Sequence, residues 1–101
     1  MVDFVFYSDS GHGWLEVPVS LLKELGIQYD ISRYSYLSKC HNYAYLEEDC
    51  DYTRFAIAME KAGRKFSYTE VYKDGDSHIR QYTPYYCLKQ ETLVSCTVLE
   101  D

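Results

Sequence analysis

The chain has 101 residues, and its 16 acidic against 10 basic side chains give a formal net charge of −6. Because binding to a phosphate backbone needs clustered Lys and Arg, this balance argues against nucleic acid as a direct partner. The length allows one domain, and 47% hydrophobic with 26% charged residues is typical of a folded globular protein. We therefore expect a single domain over residues 1–101. The composition is unusual in its 12 tyrosines, against 4 Phe and 1 Trp.

Targeting signals are not visible in the sequence. Residues 1–7 lack a basic stretch followed by a long apolar stretch, and no segment approaches 18 apolar residues. The expected location is therefore the cytoplasm, with no contact to a membrane. In that compartment the four cysteines favour free thiols over disulfides, and the lack of a C-x-x-C pair disfavours zinc. They are Cys40, Cys50, Cys87 and Cys96. No cofactor is expected.

Two strands and a short helix are predicted at the start of the chain. Residues 4–7 form an apolar run that ends in a cluster of turn residues, which is typical of a strand followed by a loop. Residues 14–17 are the second strand candidate. Apolar residues then recur at helical spacing over 18–25, and Gly26 is suited to end that helix.

A second hairpin is predicted from alternation. Residues 31–37 alternate with period two, residues 38–42 form a polar turn, and residues 43–46 return as a strand.

A second helix follows the acidic segment 47–51. Its buried stripe is predicted from Phe55, Ala58, Met59 and Ala62, with Gly63 as the stop. Either Asp49 or Asp51 is suited to cap its first turn, and the flanking acids favour the positive end of the helix.

The strongest hairpin signal is Asp74-Gly75 between the alternating runs 66–72 and 77–82. A three-residue loop over 73–75 gathers six side chains on one face: Tyr68, Glu70, Tyr72, His78, Arg80 and Tyr82. A two-residue loop over 74–75 would mix the two faces, because a shift of one residue reverses them. Both registers remain open at this point.

The C-terminal extension, residues 85–101, is the least certain segment. Residues 93–99 favour a further strand, whereas residues from 90 onwards are also compatible with a helix start. The predicted order is β-β-α-β-β-α-β-β, with this strand as an optional addition. Strands that come in hairpins predict an α+β fold of two layers, with a mainly antiparallel sheet and two helices on one face.

Four segments occur in a distinctive order: GHGWLEVP at 11–18, SRYSY at 32–36, YLEEDCD at 45–51 and DGDSHIR at 74–80. Together they resemble a family of small uncharacterised proteins of bacteriophages and mobile elements. The resemblance covers about residues 1–84. It implies an accessory protein that acts in the bacterial cytoplasm, and it assigns no catalytic residue.

The predicted strand faces favour protein binding over catalysis. Tyr and Arg are enriched at interface hot spots. The expected partner contacts are Trp14, Tyr34, Tyr36, Tyr68, Glu70, Tyr72, His78, Arg80 and Tyr82. The expected partner is a host protein or complex, such as a CRISPR defence complex or a host enzyme that the protein inhibits. The alternative interpretation is that the tyrosines pack beneath a helix with their hydroxyls at the rim.

Other functions stay open. A small metal-dependent hydrolase or nuclease would use His12, which lies between two glycines, with His78 and the acidic residues Glu47, Glu48, Asp49 and Asp51. Helix capping explains those acids without a metal. Cys50 is expected to be structural, because acidic neighbours disfavour the thiolate that a reactive cysteine needs, although a helix N-terminus would favour it. Mimicry of DNA by an acidic surface is disfavoured by the interleaved basic residues. A homodimer with a self-complementary aromatic strand is a further hypothesis.

Overall fold

A computed structural model describes residues 2–87 of the chain. Its strands are β1 (Val2–Ser8), β2 (Gly13–Pro18), β3 (Tyr36–Leu37), β4 (Tyr43–Glu47), β5 (Phe66–Tyr72) and β6 (Thr83–Pro84). Its helices are α1 (Val19–Glu24) and α2 (Asp51–Lys61), and a 3-10 helix covers His78–Gln81.

The six strands form one sheet in the order β5-β1-β2-β4-β3-β6. All neighbouring pairs are antiparallel except β1 and β5, which run parallel over their whole length. Parallel neighbours need a long crossover, and α2 lies in the connection that brings the chain back to the β1 edge. The prediction of an α+β fold with a mainly antiparallel sheet is confirmed.

One face of the sheet packs against both helices. Because side chains alternate along a strand, Leu15 and Val17 of β2 point to this face, as does Phe4 of β1. The helices contribute Leu21, Leu22, Phe55 and Met59 to the same cluster. The two helices therefore share the main core, as the sequence predicted.

The opposite face of the sheet is covered by the 3-10 helix. Trp14 and Tyr45 form a second buried cluster with Ile79, which is fully buried. Tyr7, Tyr36 and Tyr82 pack around this cluster. The sheet is thus covered on both faces, and the second cover comes from a segment that was expected to be a strand.

The predicted C-terminal ends of both helices and the first hairpin are confirmed. Gly26 and Gly63 follow α1 and α2 with φ angles of 76° and 69°, a conformation in which glycine is favoured. The first two strands pair as predicted, with Val5 opposite Glu16 and Ser8 opposite Gly13.

The predicted strand over 31–37 is wrong for most of its length. Only Tyr36–Leu37 forms a strand, and it pairs with β4 as expected. Residues 32 and 35 are withdrawn from the sheet because their serine side chains bond to Asp51 of α2. A tertiary hydrogen-bond network has overridden the local alternation.

The predicted cap of α2 is also wrong. Cys50 occupies the cap position, and its side chain makes no hydrogen bond to the free N–H groups of the first turn. Asp51 is the first helical residue, and its buried carboxylate points to the loop at 32–35.

The third hairpin, with a strand over 77–82, is wrong. Gly75 does adopt a turn conformation with φ at 90°, but the chain then enters the 3-10 helix. The Ser77 N–H donates to Asp9, and Arg80 pairs with the same carboxylate. These contacts cross most of the chain, so the local pattern could not indicate them. β5 consequently has β1 as its only described neighbour.

Residues 88–101 lie outside the described part of the chain, and so does the strand predicted over 93–99. Within residues 2–87, neither helix combines the length and apolar character needed to cross a membrane.

Candidate functional site

A cleft of about 440 Å³ opens on the sheet face that the 3-10 helix covers. Its floor is the Trp14 ring of β2, and β3, β4 and the loop before β3 supply the walls. The lining residues are His12, Trp14, Arg33, Tyr34, Tyr36, Glu47, Asp49, Cys50 and Arg80. Concave sites of this size accept a few side chains or a small ligand. We define these nine residues as the cleft.

An ion pair between Asp9 and Arg80 links the loop after β1 to the 3-10 helix at one side of the cleft. The Arg80 Nε donates to Asp9 Oδ2 at 2.7 Å, and Nη2 donates to Oδ1 at 3.0 Å. This two-point geometry is the strong form of an arginine–carboxylate pair. The guanidinium also lies 5.3 Å from the centre of the Trp14 ring, within cation–π range.

The same Asp9 carboxylate shapes the loop that carries His12. Its Oδ1 accepts from the backbone N–H groups of Gly11 and His12, both at 2.9 Å, and its Oδ2 accepts from Ser77. The Arg80 hydrogen bonds, helped by these backbone donors, hold the pKa of Asp9 far below its ordinary value. The loop is therefore held in one conformation rather than left flexible.

Gly13 allows the Phe6 ring to pack directly against its backbone. A Cβ at this position would lie 2.5 Å from the Phe6 ring, inside any normal contact distance. At Gly11, a Cβ would lie 2.9 Å from the Arg80 guanidinium. The two glycines beside His12 thus let the loop pack against β1 and the 3-10 helix.

Asp51 builds the opposite wall. It is fully buried, and its carboxylate accepts from the Ser32 backbone N–H at 3.1 Å, from the Ser32 hydroxyl at 2.6 Å and from the Ser35 hydroxyl. The Ser35 hydroxyl in turn accepts from the Glu47 N–H of β4. This network fixes the short segment that presents Arg33 and Tyr34 at the mouth of the cleft.

The mouth of the cleft carries two exposed side chains. Tyr34 is 74% exposed, the highest value among the large hydrophobic residues of 2–87. Arg33 is exposed as well, and it forms no ion pair within that range. An exposed aromatic ring and an unpaired guanidinium, held on a fixed loop, are available to a partner.

His12 faces a group of acids at the end of β4. Its Nδ1 lies 3.6 Å from Glu47 Oε2, and its ligand atoms lie within 4.8 Å of those of Glu48 and Asp49. Burial raises the pKa of Glu47 above its ordinary value, although the Asp49 N–H opposes this by donating to it. These side chains have the chemistry of a weak divalent-cation site, but His12, Glu48 and Asp49 are all exposed.

The expected partner contacts divide into separate groups. Trp14, Tyr34, Tyr36 and Arg80 line the cleft. Tyr68, Glu70 and Tyr72 lie on β5 at the edge of the sheet, where Glu70 accepts from the Ser8 hydroxyl. The single face predicted for the third hairpin is therefore not formed, because residues 77–82 do not pair with β5.

His78 and Tyr82 form the third group, on the 3-10 helix and just after it. The His78 ring packs edge-on against Tyr7 and Tyr82 at 5.4 and 5.6 Å, and it is not among the cleft residues. His12 and His78 are thus at different places on this face. Of the two histidines in the hydrolase hypothesis, only His12 lines the cleft beside the acidic residues.

Sequence reasoning missed the residues that hold the cleft together. Asp9 stands in a run of turn residues, and only its long-range contacts show its importance. Arg33, between Ser32 and Tyr34, fell within a predicted strand. The S-x-x-S spacing of Ser32 and Ser35 was a usable signal, since two hydroxyls three residues apart can share one acceptor.

Comparison with protein-family models, curated proteins and solved structures gave no match to this chain.

Proposed function

We propose that this protein binds another protein through the cleft and works by that binding rather than by catalysis. The carrying observation is that Trp14, Tyr34, Tyr36 and Arg80, from three separate parts of the chain, line one concave site, with Tyr34 exposed at its mouth and Trp14 buried beneath it. Tyr, Trp and Arg are the side chains that dominate binding energy at protein interfaces.

The construction of the site supports this proposal. Its floor and walls are fixed by two buried carboxylates, Asp9 and Asp51, so little order has to be gained on binding. Preorganised sites lose less entropy when a partner docks. The exposed Tyr34 ring offers a large contact area with few rotatable bonds.

The lining also indicates the chemistry of the partner. Arg33 has no ionic partner within residues 2–87, whereas Arg80 is already paired with Asp9. Aromatic rings cover much of the remaining surface. A segment with an apolar or aromatic side chain for the Tyr34 and Tyr36 rings and a carboxylate for Arg33 fits this arrangement.

The biological setting rests on the resemblance to bacteriophage and mobile-element proteins. An accessory protein of that kind would act in the bacterial cytoplasm on a host protein or complex. Inhibition of a defence complex such as CRISPR, or of a host enzyme, is the most concrete form of this hypothesis. The site contributes a means of binding and leaves the target to experiment.

The test is affinity capture from bacterial lysates with matched variants. Arg33→Glu and Tyr34→Ala change exposed side chains at the mouth and should leave the fold intact. Each is expected to weaken capture of a stoichiometric partner by about 30-fold, the effect of losing an interface hot spot of about 2 kcal/mol. Binding would be quantified by titration with the purified partner.

The controls repeat the same chemical changes outside the cleft. Lys39→Glu and Tyr43→Ala alter exposed residues on the turn at 38–42 and at the start of β4. Both should bind like the unmodified protein. Equal capture by cleft and control variants, or no stoichiometric partner across several lysates, would contradict the proposal.

A second candidate function is a metal-dependent hydrolase. It is favoured by one observation, the approach of His12, Glu48 and Asp49 ligand atoms to within 4.8 Å of one another. Histidine nitrogen and carboxylate oxygen suit Mn²⁺, and a bound metal can activate water. The carboxylates of this candidate are Glu47, Glu48 and Asp49. His78 lies outside the cleft, and Asp51 is excluded because its buried carboxylate is bonded to Ser32 and Ser35.

Titration with MnCl₂, followed by calorimetry, tests this candidate. A real site should lose at least tenfold in affinity in Glu48→Gln, because one charged oxygen ligand is replaced by a neutral one. Glu60→Gln, an exposed glutamate on α2, serves as control. Heat signals that are equal in both variants would mean that Mn²⁺ binds only as a diffuse counterion.

A further inference from the structure

The outer edge of β5 is the second notable surface, and it lies in a different part of the sheet from the cleft. β5 is the first strand in the sheet order and pairs only with β1 among the described strands. Of its seven residues, all but Phe66 are exposed. Long, exposed, apolar edge strands are templates for pairing with another strand.

The direction of the unpaired backbone groups follows from one hydrogen bond. The Lys73 N–H donates to the Ser8 carbonyl at 2.9 Å, so Lys73 faces β1. Backbone groups alternate along a strand, and the odd-numbered residues of β5 therefore bond to β1. The N–H and C=O groups of Phe66, Tyr68, Glu70 and Tyr72 point outwards.

The side chains of β5 alternate between the two faces of the sheet, and its aromatic side chains lie on one of them. Tyr68 packs against Tyr52 of α2 and Phe6 of β1, which places the even-numbered residues on the helix-covered face. Tyr68 and Tyr72 are nevertheless 46% and 58% exposed. They extend the aromatic layer to the edge of the sheet, and no strand among residues 2–87 lies on their outer side.

We propose that two copies of this chain pair through β5, antiparallel about a two-fold axis at Thr69, to form one continuous sheet. A two-fold axis normal to the sheet keeps the helix-covered faces of both copies on the same side. In this register Phe66 lies opposite Tyr72 of the second copy, and Tyr68 lies opposite Glu70.

The side chains of β5 favour this register over the two registers that are shifted by two residues. Moving the second copy by two residues in one direction places the two Glu70 side chains opposite each other, with like charges facing. Moving it by two residues in the other direction places Glu70 opposite Phe66 of the second copy. At the proposed register Glu70 meets the Tyr68 hydroxyl and the aromatic side chains pair, both of which favour strand association. About eight outward backbone hydrogen bonds form as well. Lys65 and Lys73 face each other beyond the strand ends, in solvent, where the repulsion is small.

Sedimentation of the full-length protein, from micromolar to millimolar concentration, tests the association. A monomer–dimer equilibrium is expected. Tyr72→Lys should weaken it about tenfold, because it removes two symmetry-related aromatic pairs. Tyr34→Lys, the same change at an exposed cleft residue, should leave it unaltered. A protein that stays monomeric throughout would overturn the proposal.

Cysteine cross-linking tests the register itself. In the proposed dimer Thr69 lies opposite Thr69 of the second copy, in a close pair without backbone hydrogen bonds. Thr69→Cys should therefore give a covalent dimer under mild oxidation. Ser67→Cys and Val71→Cys should cross-link with each other when mixed but not alone. The unmodified protein, which has native cysteines, is the blank. A dimer that Thr69→Cys fails to trap would overturn the proposal, because another surface, another strand register or the segment 88–101 would then hold it.

Discussion

Replacing Asp9 with asparagine is expected to lower the free energy of unfolding by about 3 kcal/mol. The side chain is buried, and the change removes the charge that Arg80 neutralises by two hydrogen bonds. Loss of one partner from a buried ion pair leaves the other poorly compensated. Asparagine also retains only one acceptor oxygen for the several donors that surround the carboxylate. Urea denaturation measures this loss, and thermal denaturation should show a Tm that is lower by about 15 °C.

Asp76→Asn is the matched control for this substitution. Asp76 also approaches Arg80, with its Oδ1 3.8 Å from the Nε, but its side chain is 89% exposed. Exposed ion pairs contribute little, so the control should change stability by less than about 0.5 kcal/mol. Equal effects at Asp9 and Asp76 would show that burial of the Asp9–Arg80 pair does not govern stability.

The pH dependence provides an independent check on Asp9. Its pKa is held well below the ordinary value, chiefly by Arg80, so the unfolded chain takes up a proton before the native protein does. The stabilisation is complete above the unfolded pKa of about 4 and is lost as the pH falls below it. The slope from this group is about 1.4 kcal/mol per pH unit. Asp9→Asn should flatten the acid limb by that amount.

Local sequence patterns were sufficient where the structure depends on near neighbours. The apolar periodicity of α1 and α2, together with Gly26 and Gly63, predicted both helices and their C-terminal ends. The first two strands could also be predicted, because apolar runs and the turn residues between them identify both. These elements carry most of the main core, which is why the fold class was predictable.

The failures occur where a buried carboxylate captures a distant segment. Asp9 draws Ser77 and Arg80 into a 3-10 helix, although their sequence alternates like a strand. Asp51 similarly removes Ser32 and Ser35 from the sheet. Both carboxylates gain more from several converging donors than the segments would gain from strand pairing. The cleft is bounded by these two networks, so the candidate site was harder to predict than the fold.

The tyrosines illustrate the same limit. They were expected to supply contact surface, and Tyr34 and Tyr72 are indeed well exposed. Tyr45 and Tyr85 are instead buried, each with its hydroxyl bonded to another residue. Composition identified an amphipathic side chain in excess, but only the tertiary structure distinguishes the exposed rings from those in the core.

Asp51→Ala is expected to lower the free energy of unfolding by about 3 kcal/mol. It removes a fully buried carboxylate and leaves the Ser32 N–H and two hydroxyls without their acceptor. Asp51→Asn should have a smaller effect, about 2 kcal/mol, because the amide oxygen still accepts one of these bonds. Asp49→Asn, two residues earlier and exposed, should change stability by less than about 0.5 kcal/mol in the same denaturation experiment.

Limited trypsin digestion separates loss of the cleft wall from general destabilisation. Arg33 lies in the segment that Asp51 holds, so opening of this segment exposes its peptide bond to the protease. Cleavage after Arg33 in Asp51→Asn should be at least about tenfold faster than in the unmodified protein, since losing 1.4 kcal/mol of local stability gives that factor. Cleavage after Lys39, on the neighbouring exposed turn, should change much less. If both sites accelerate together, Asp51 stabilises the whole molecule and does not specifically fix the wall that presents Arg33 and Tyr34.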